Sequence, residues 1–191
     1  AYTDPVTSLP NRIRFRELVQ QAVLSGKREQ RPIALLLMDL DRFKEVNDTL
    51  GHDRGDNLLL QVSTRLRGAL FDHDVVARLG GDEFGVLLTK LADAGDVRHV
   101  IKKLHECLEA PFMIDGIPVA VESSIGVATM PDHADDADTL LQRADIAMYR
   151  AKQMASDYAV YSPEFNPHSP ERLGLMAARM RPPSLTSTFL A

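Results

Sequence analysis

Apolar positions recur at helical spacing in four stretches: Phe15, Leu18, Val19, Ala22 and Val23; Leu58, Val62, Leu66 and Leu70; Val97, Val100, Ile101, Leu104 and Leu108; and Leu140, Ala144, Ala147, Met148 and Ala151. Steps of three and four put each set on one face, so four main amphipathic helices are predicted. Other runs lack that period. Residues 33–38 are continuously apolar and lead into Asp39 and Asp41, as in a central strand covered on both faces whose end emerges into a polar site. Further strands are predicted at 75–79, 84–89, 111–114, 118–130 and 158–161, with Asp115-Gly116 turning a small hairpin. This order implies an α+β sandwich, a central, mainly antiparallel sheet of about five strands flanked by helices, with an accessory hairpin.

Chemistry concentrates where two of these strands meet. Gly80-Gly81-Asp82-Glu83 joins the strands at 75–79 and 84–89, and its glycines can take φ > 0 without steric cost. With no side chains at Gly80 and Gly81, a bulky ligand can approach the backbone while Asp82 and Glu83 face it. An acidic turn alone would be unremarked, since acids and glycines are common turn formers. Beside a strand ending in Asp39, however, the turn offers a cluster of hard oxygen donors suited to Mg²⁺ carrying substrate phosphates. Such carboxylates repel one another, and a cation stabilises them. Phosphoryl or nucleotidyl transfer is the reaction class that uses this arrangement.

The segment from Arg42 to Asp56 adds groups that can read a base. Residues 43–50 should form a short helix ended by Gly51, whose first turn offers backbone N–H groups to phosphate, with Lys44 as a cation there. Asn47 and Asp56 supply what a guanine edge requires, an amide and a carboxylate that accepts from N1–H and the exocyclic amine. Adenine presents no such donor pair. His52 is a third candidate contact, although a lone histidine is as often structural.

These residues carry a resemblance. The Gly80-Gly81-Asp82-Glu83-Phe84 signature, the Asp39-Leu40-Asp41-Arg42-Phe43-Lys44 stretch, Asn47-Asp48, Gly51-His52 and Gly55-Asp56 are similar in order and spacing to the GGDEF domain, the diguanylate cyclase family. The opening 4–12 and the closing 144–152 resemble that family's borders, so the likeness covers residues 1–161. It implies a palm fold like that of nucleotide cyclases, and condensation of two GTP into cyclic di-GMP and pyrophosphate by a transient homodimer. It further implies that Asp39, the Leu40 carbonyl, Asp82 and Glu83 hold Mg²⁺ or Mn²⁺, and that Asp82, Glu83 and Lys44 are catalytic. Phe43, Asn47, His52, Asp56, Lys152, Gly80 and Gly81 would bind substrate. An alternative reading is a GTP-binding regulatory module that controls a downstream EAL phosphodiesterase and makes little product.

Three departures from the family pattern bear on activity. Ser156 stands where a phosphate-contacting cation is usual; losing one charged hydrogen bond costs about 1.5–3 kcal/mol, or roughly 10 to 100-fold in rate. Phe71 replaces the arginine of the product-inhibition motif ending at Asp74, so no tight feedback binding is expected. Val6 and Ser8 replace the usual Leu and Gly of the opening motif.

Composition changes little. A net charge of −5 over 191 residues argues against nucleic-acid binding, and a single cysteine, Cys107, excludes an internal disulfide. No apolar run approaches the roughly 20 residues of a membrane span, and nothing resembles a signal peptide. The domain is therefore expected in the cytoplasm without direct membrane contact, whether or not its parent is membrane-anchored. Residues 162–170 read as a turn-rich linker, and 171–180 as a partial lead-in helix to a missing C-terminal domain, for which an EAL partner is expected. The Ser/Thr-rich finish reads as disordered, and the chain as an excised module.

Overall fold

The continuous apolar run of β1 (Ile33–Asp41) is explained by helices on both faces of the sheet it centres. Ala34, Leu36, Met38 and Leu40 join one buried cluster, with α3 (His52–Ala69) and α4 (Asp96–Glu109). Ile33, Leu35 and Leu37 join the other, with α1 (Arg12–Glu29) and α5 (Ala137–Gln153). Successive side chains point to opposite faces, so a strand covered twice has no polar position until it leaves the core. The computed structural model describes residues 2–93 and 95–166.

β1 pairs antiparallel with β3 (Glu83–Leu88) on one side and β6 (Glu122–Met130) on the other. β2 (Val75–Gly80) and β7 (Tyr158–Val160) are the edges, giving the order β2-β3-β1-β6-β7, with only β7 running parallel to its neighbour. The α+β sandwich with a mainly antiparallel five-strand sheet is therefore present. α5 packs hard on β6: a Cβ at Gly126 would lie 2.1 Å from the Met148 nitrogen and 2.2 Å from the Ala144 carbonyl oxygen. The short helix predicted after β1 is α2 (Phe43–Leu50), closed by Gly51 at φ +89°.

One strand differs from expectation. The run predicted at 118–130 is two strands, β5 (Ile117–Val119) and β6, interrupted at Ala120 and Val121. β5 pairs with β4 (Phe112–Ile114) in a separate two-stranded sheet, so the chain must leave that hairpin before it can enter the central sheet. Cys107 lies half-buried on α4 and donates to the Leu104 carbonyl. Residues Ala1–Tyr161 form one compact unit. In the remainder, Pro163–Phe165 makes a single 3₁₀ turn, and the predicted helix at 171–180 lies outside the described residues.

Candidate active site

The hairpin between β2 and β3 turns through Gly80 at φ +136° and Gly81 at φ +53°, conformations that a side chain would strain. Gly80 pairs with Glu83 across a register shift, so Gly81 and Asp82 form the tip. The Leu40 N–H donates to the Asp82 carbonyl at 3.1 Å, and Asp39 is the cross-strand partner of Glu83. These ladder contacts bind the tip to the end of β1 and bring the Asp82 carboxylate within electrostatic range of Asp39.

Asp39 is buried, and Lys152 of α5 donates to its carboxylate at 2.7 Å. Burial pushes the Asp39 carboxyl above its ordinary value; the hydrogen bond from Lys152 opposes this, while Asp82 and Asp41 add to it. Asp41 accepts a hydrogen bond from Ser124 Oγ at 3.0 Å. Excess negative charge on hard oxygen donors, with an ammonium already drawn to it, fits a site for a divalent cation. Among the described residues no three metal-ligating side chains are gathered closely enough to hold a metal as they stand. Lys152 is the cation that Asp39 has.

A cavity of about 820 Å³ opens here, walled by Asp39, Leu40, Phe43, Lys44, Asp82 and Lys152 among others. Lys44 occupies the second position of α2 and is exposed; Phe43 is buried and anchors the helix in the core. Five of the expected metal and phosphate residues (Asp39, Leu40, Asp82, Lys44 and Lys152) thus share one space. The guanine candidates do not wall it. Asn47 packs over Gly55, where a Cβ would lie 1.8 Å from Asn47 Oδ1, so a side chain at 55 would displace the Asn47 amide. Asp56 follows Gly55 on the exposed face of α3, and His52 is the exposed first residue of that helix. Glu83 is also outside the cavity: it pairs with Arg12 at 3.1 Å. The hairpin is clamped from below by Arg78, whose guanidinium donates to the Gly81 carbonyl at 2.9 Å and to Asp4 at 2.9 Å.

A family model described as diguanylate cyclase, GGDEF domain, matches residues 1–157. The chain belongs to that family. It is 44% identical over 156 residues to the diguanylate cyclase TpbB of Pseudomonas aeruginosa, a match covering 81% of this chain and 36% of that one. It is 38% identical over 177 residues to MucR of the same organism, described as a bifunctional diguanylate cyclase and cyclic di-GMP phosphodiesterase, covering 92% of this chain and 26% of MucR. The solved GGDEF domain of TpbB superposes with a TM-score of 0.84 at 40% identity, covering 90% of this chain and 99% of that one. The chain thus spans about a third of the length of TpbB. The family generally uses a divalent metal.

The departures in this GGDEF domain have structural outcomes. Ser8 takes φ 60°, the left-handed conformation that glycine adopts freely, while Asp4 organises the loop by accepting from the Thr7 N–H at 2.8 Å and the Thr7 hydroxyl at 2.7 Å. Ser156 walls the cavity and donates to the Tyr158 carbonyl at 3.2 Å, a neutral group at that position. Phe71 is exposed, stacked on His73 with Lys103 over its ring. The buried Asp74 carboxylate accepts from the Phe71 N–H at 3.1 Å, and Arg67 donates to the carbonyls of both residues. That turn is knit to itself. No helix among the described residues is long and apolar enough to cross a membrane.

Sequence reasoning missed Arg12 and Arg78. The available signal for Arg78 was a charged residue inside a short apolar strand, where a partner is required. It also missed that the His105 Nε2 and Ser123 Oγ atoms are buried without hydrogen-bond partners among the described residues.

Proposed function

We propose that this domain condenses two GTP into cyclic di-GMP, each copy in a transient homodimer presenting one nucleotide. The observation that carries the reading is the convergence of Asp39, Asp82, Lys44 and Lys152 on one cavity beside an intact Gly80–Phe84 signature. Asp39, the Leu40 carbonyl and Asp82 would hold Mg²⁺ or Mn²⁺, with Glu83 swinging from Arg12 to join them. The metal supplies phosphate polarisation and makes the ribose 3′-OH more acidic.

The chain's own groups do the rest. Lys152 neutralises Asp39 and, with a cation held there, would be free to meet phosphate alongside Lys44. Asn47 and Asp56 select guanine from the α2–α3 corner, with His52 at its edge, and the bare backbone of Gly80 and Gly81 admits the ribose. Asp82 accepts the 3′-OH proton. As each 3′-O–Pα bond forms, the Pα–O–Pβ bond breaks and pyrophosphate leaves with its electron pair. Catalysis of this kind is positioning and preorganised charge. Ser156 makes turnover modest. Because the Asp74 carboxylate is already engaged and Phe71 offers no cation, cyclic di-GMP should not bind tightly at that turn. In the parent protein an EAL domain is the expected neighbour, and the domain works in the cytoplasm.

Incubation with Mg²⁺ and GTP at high protein concentration, followed by chromatography, tests the reading. Cyclic di-GMP should appear with the wild type and be lost with Asp82→Asn. GTP bound without product would reject the cyclase assignment and leave the less favoured regulatory role.

A further inference from the structure

A second cavity, of about 500 Å³, adjoins the same hairpin and shares no wall residue with the phosphate cavity. Asp82 lines the first and Glu83 the second, and Asp39 lines the first and Met38 the second, so the two spaces are divided between consecutive residues of the hairpin and of β1. They also follow one another along α5, where Lys152 belongs to the first, and Met148 and Asp145 to the second. At the mouth of the second is Arg12. Its Nε donates to the Leu79 carbonyl at 2.9 Å and its terminal nitrogen to Glu83 at 3.1 Å, with 66% of the side chain exposed.

Two features give this arginine more than a structural role. Its backbone contact holds the guanidinium beside the hairpin whether or not Glu83 is present. Its pair with Glu83 is exposed, and such pairs are weak and readily exchanged. Were Glu83 to turn toward a cation in the first cavity, Arg12 would keep its Leu79 contact and have free donors beside the hairpin. A guanidinium in that state suits two phosphate oxygens. The phosphates of its own copy's nucleotide belong to the first cavity, so those it can meet come from outside. The other charges restrict which. Arg16 is paired with Asp138 at 2.8 Å, and the two acids on the wall, Asp138 and Asp145, oppose free anions. A free phosphate is not drawn in, whereas a nucleotide already anchored on another molecule can be.

We propose that Arg12 contacts the α-phosphate of the nucleotide carried by the opposing copy, in exchange for Glu83, and so helps to assemble the two-nucleotide complex. This inference rests on the cyclase reading and adds to it a residue acting across the dimer. Sedimentation with Mg²⁺ and a non-hydrolysable GTP analogue, beside nucleotide binding by calorimetry and pyrophosphate release, tests it in the whole chain. Arg12→Gln should bind the analogue within about twofold of wild type. It should lose the analogue-dependent gain in dimer and turn over roughly 10 to 100-fold more slowly, as expected for one lost charged hydrogen bond. Arg12→Lys should recover part of both. In a Glu83→Gln background the Arg12→Gln loss should persist.

Unaltered analogue-driven dimerisation in Arg12→Gln overturns the proposal. So does a loss that vanishes when Glu83 is already replaced, since Arg12 then acts only through Glu83. A wild type that does not bind the analogue is a failure of the cyclase reading itself, seen in the wild-type arm alone, and the proposal falls with it.

Discussion

Two acid–cation pairs whose acids are largely shielded from solvent flank the signature hairpin and behave in opposite ways. Asp4 meets Arg78 at 2.9 Å and Asp39 meets Lys152 at 2.7 Å, with 13% and 11% of the acid side chains exposed. Burial raises the Asp4 carboxyl, yet the Thr7 hydrogen bonds and Arg78 outweigh it and leave the group below its ordinary value. Burial also raises Asp39, but Asp82 and Asp41 add to the effect and Lys152 does not reverse it. The surroundings of the first carboxylate favour its charged form; burial and the neighbouring acids Asp82 and Asp41 disfavour the charged form of the second, and Lys152 does not offset them. The first builds the hairpin, and the second is the acid through which the proposed function would hold a cation. A close ion pair thus says little about role until the rest of its neighbourhood is counted.

The comparison breaks most sharply at Arg78. Arg78→Ala leaves the half-buried Asp4 carboxylate with only its Thr7 hydrogen bonds, and chemical denaturation should show a loss of about 1.5–3 kcal/mol, the worth of a hydrogen bond to a charged group. A cost under about 1 kcal/mol would place this pair with ordinary surface bridges. Asp39→Asn should do the reverse, leaving metal-free stability intact or improved while turnover falls about 100 to 1,000-fold, as when one preorganised charge contact is removed. A fold that collapses in Asp39→Asn would refute the contrast.

At the α2–α3 corner, Asp56→Ala should weaken GTP by about 1.5–3 kcal/mol and ATP hardly at all, measured by competitive binding. Equal losses would remove the guanine assignment.

The two acids also set opposite pH dependences. Asp4 titrates lower in the fold than unfolded, so its stabilisation is full above 3.8 and lost as pH falls through its folded value. Asp39 titrates higher in the fold, so its contribution is full below 3.8 and lost as pH rises through its folded value. In chelator, the stability gained by Asp39→Asn over wild type should therefore grow as pH rises from 3.8 and vanish below it, while the deficit of Asp4→Asn should narrow in acid. Thermal melts across that range would expose an error of sign in either. The smallest effect is at Ser8: Ser8→Gly should relieve the left-handed backbone and raise stability by about 0.5–1 kcal/mol, and a loss would mean the hydroxyl matters more than the strain.

What was readable in the sequence was what local period and turn chemistry encode. The unbroken run of β1 reported burial on both faces, and Gly80-Gly81 and Gly51 reported the two reversals that position the acids. Partners chosen by tertiary contact were not readable. Arg78 and Asp4 lie 74 positions apart and Arg12 and Glu83 lie 71, and neither spacing belongs to any helix or strand repeat. Asn47 over Gly55 depends on the angle between two helices, which hydrophobic spacing does not specify. The break between β5 and β6 was invisible because Ala120 and Val121 are as apolar as a strand interior, and the two-sheet topology alone requires them to leave. The acids could therefore be read from the chain, while the groups that orient them could not.

Calorimetric titration of GTP into the wild type and Asp39→Asn, each with and without Mg²⁺, tests most directly whether the end of β1 and the hairpin tip cooperate in holding a metal-bound triphosphate. Tight binding should require both Mg²⁺ and Asp39, with either omission weakening it to a similar degree. Binding that is equally strong in Asp39→Asn, or indifferent to Mg²⁺ in the wild type, would contradict the account.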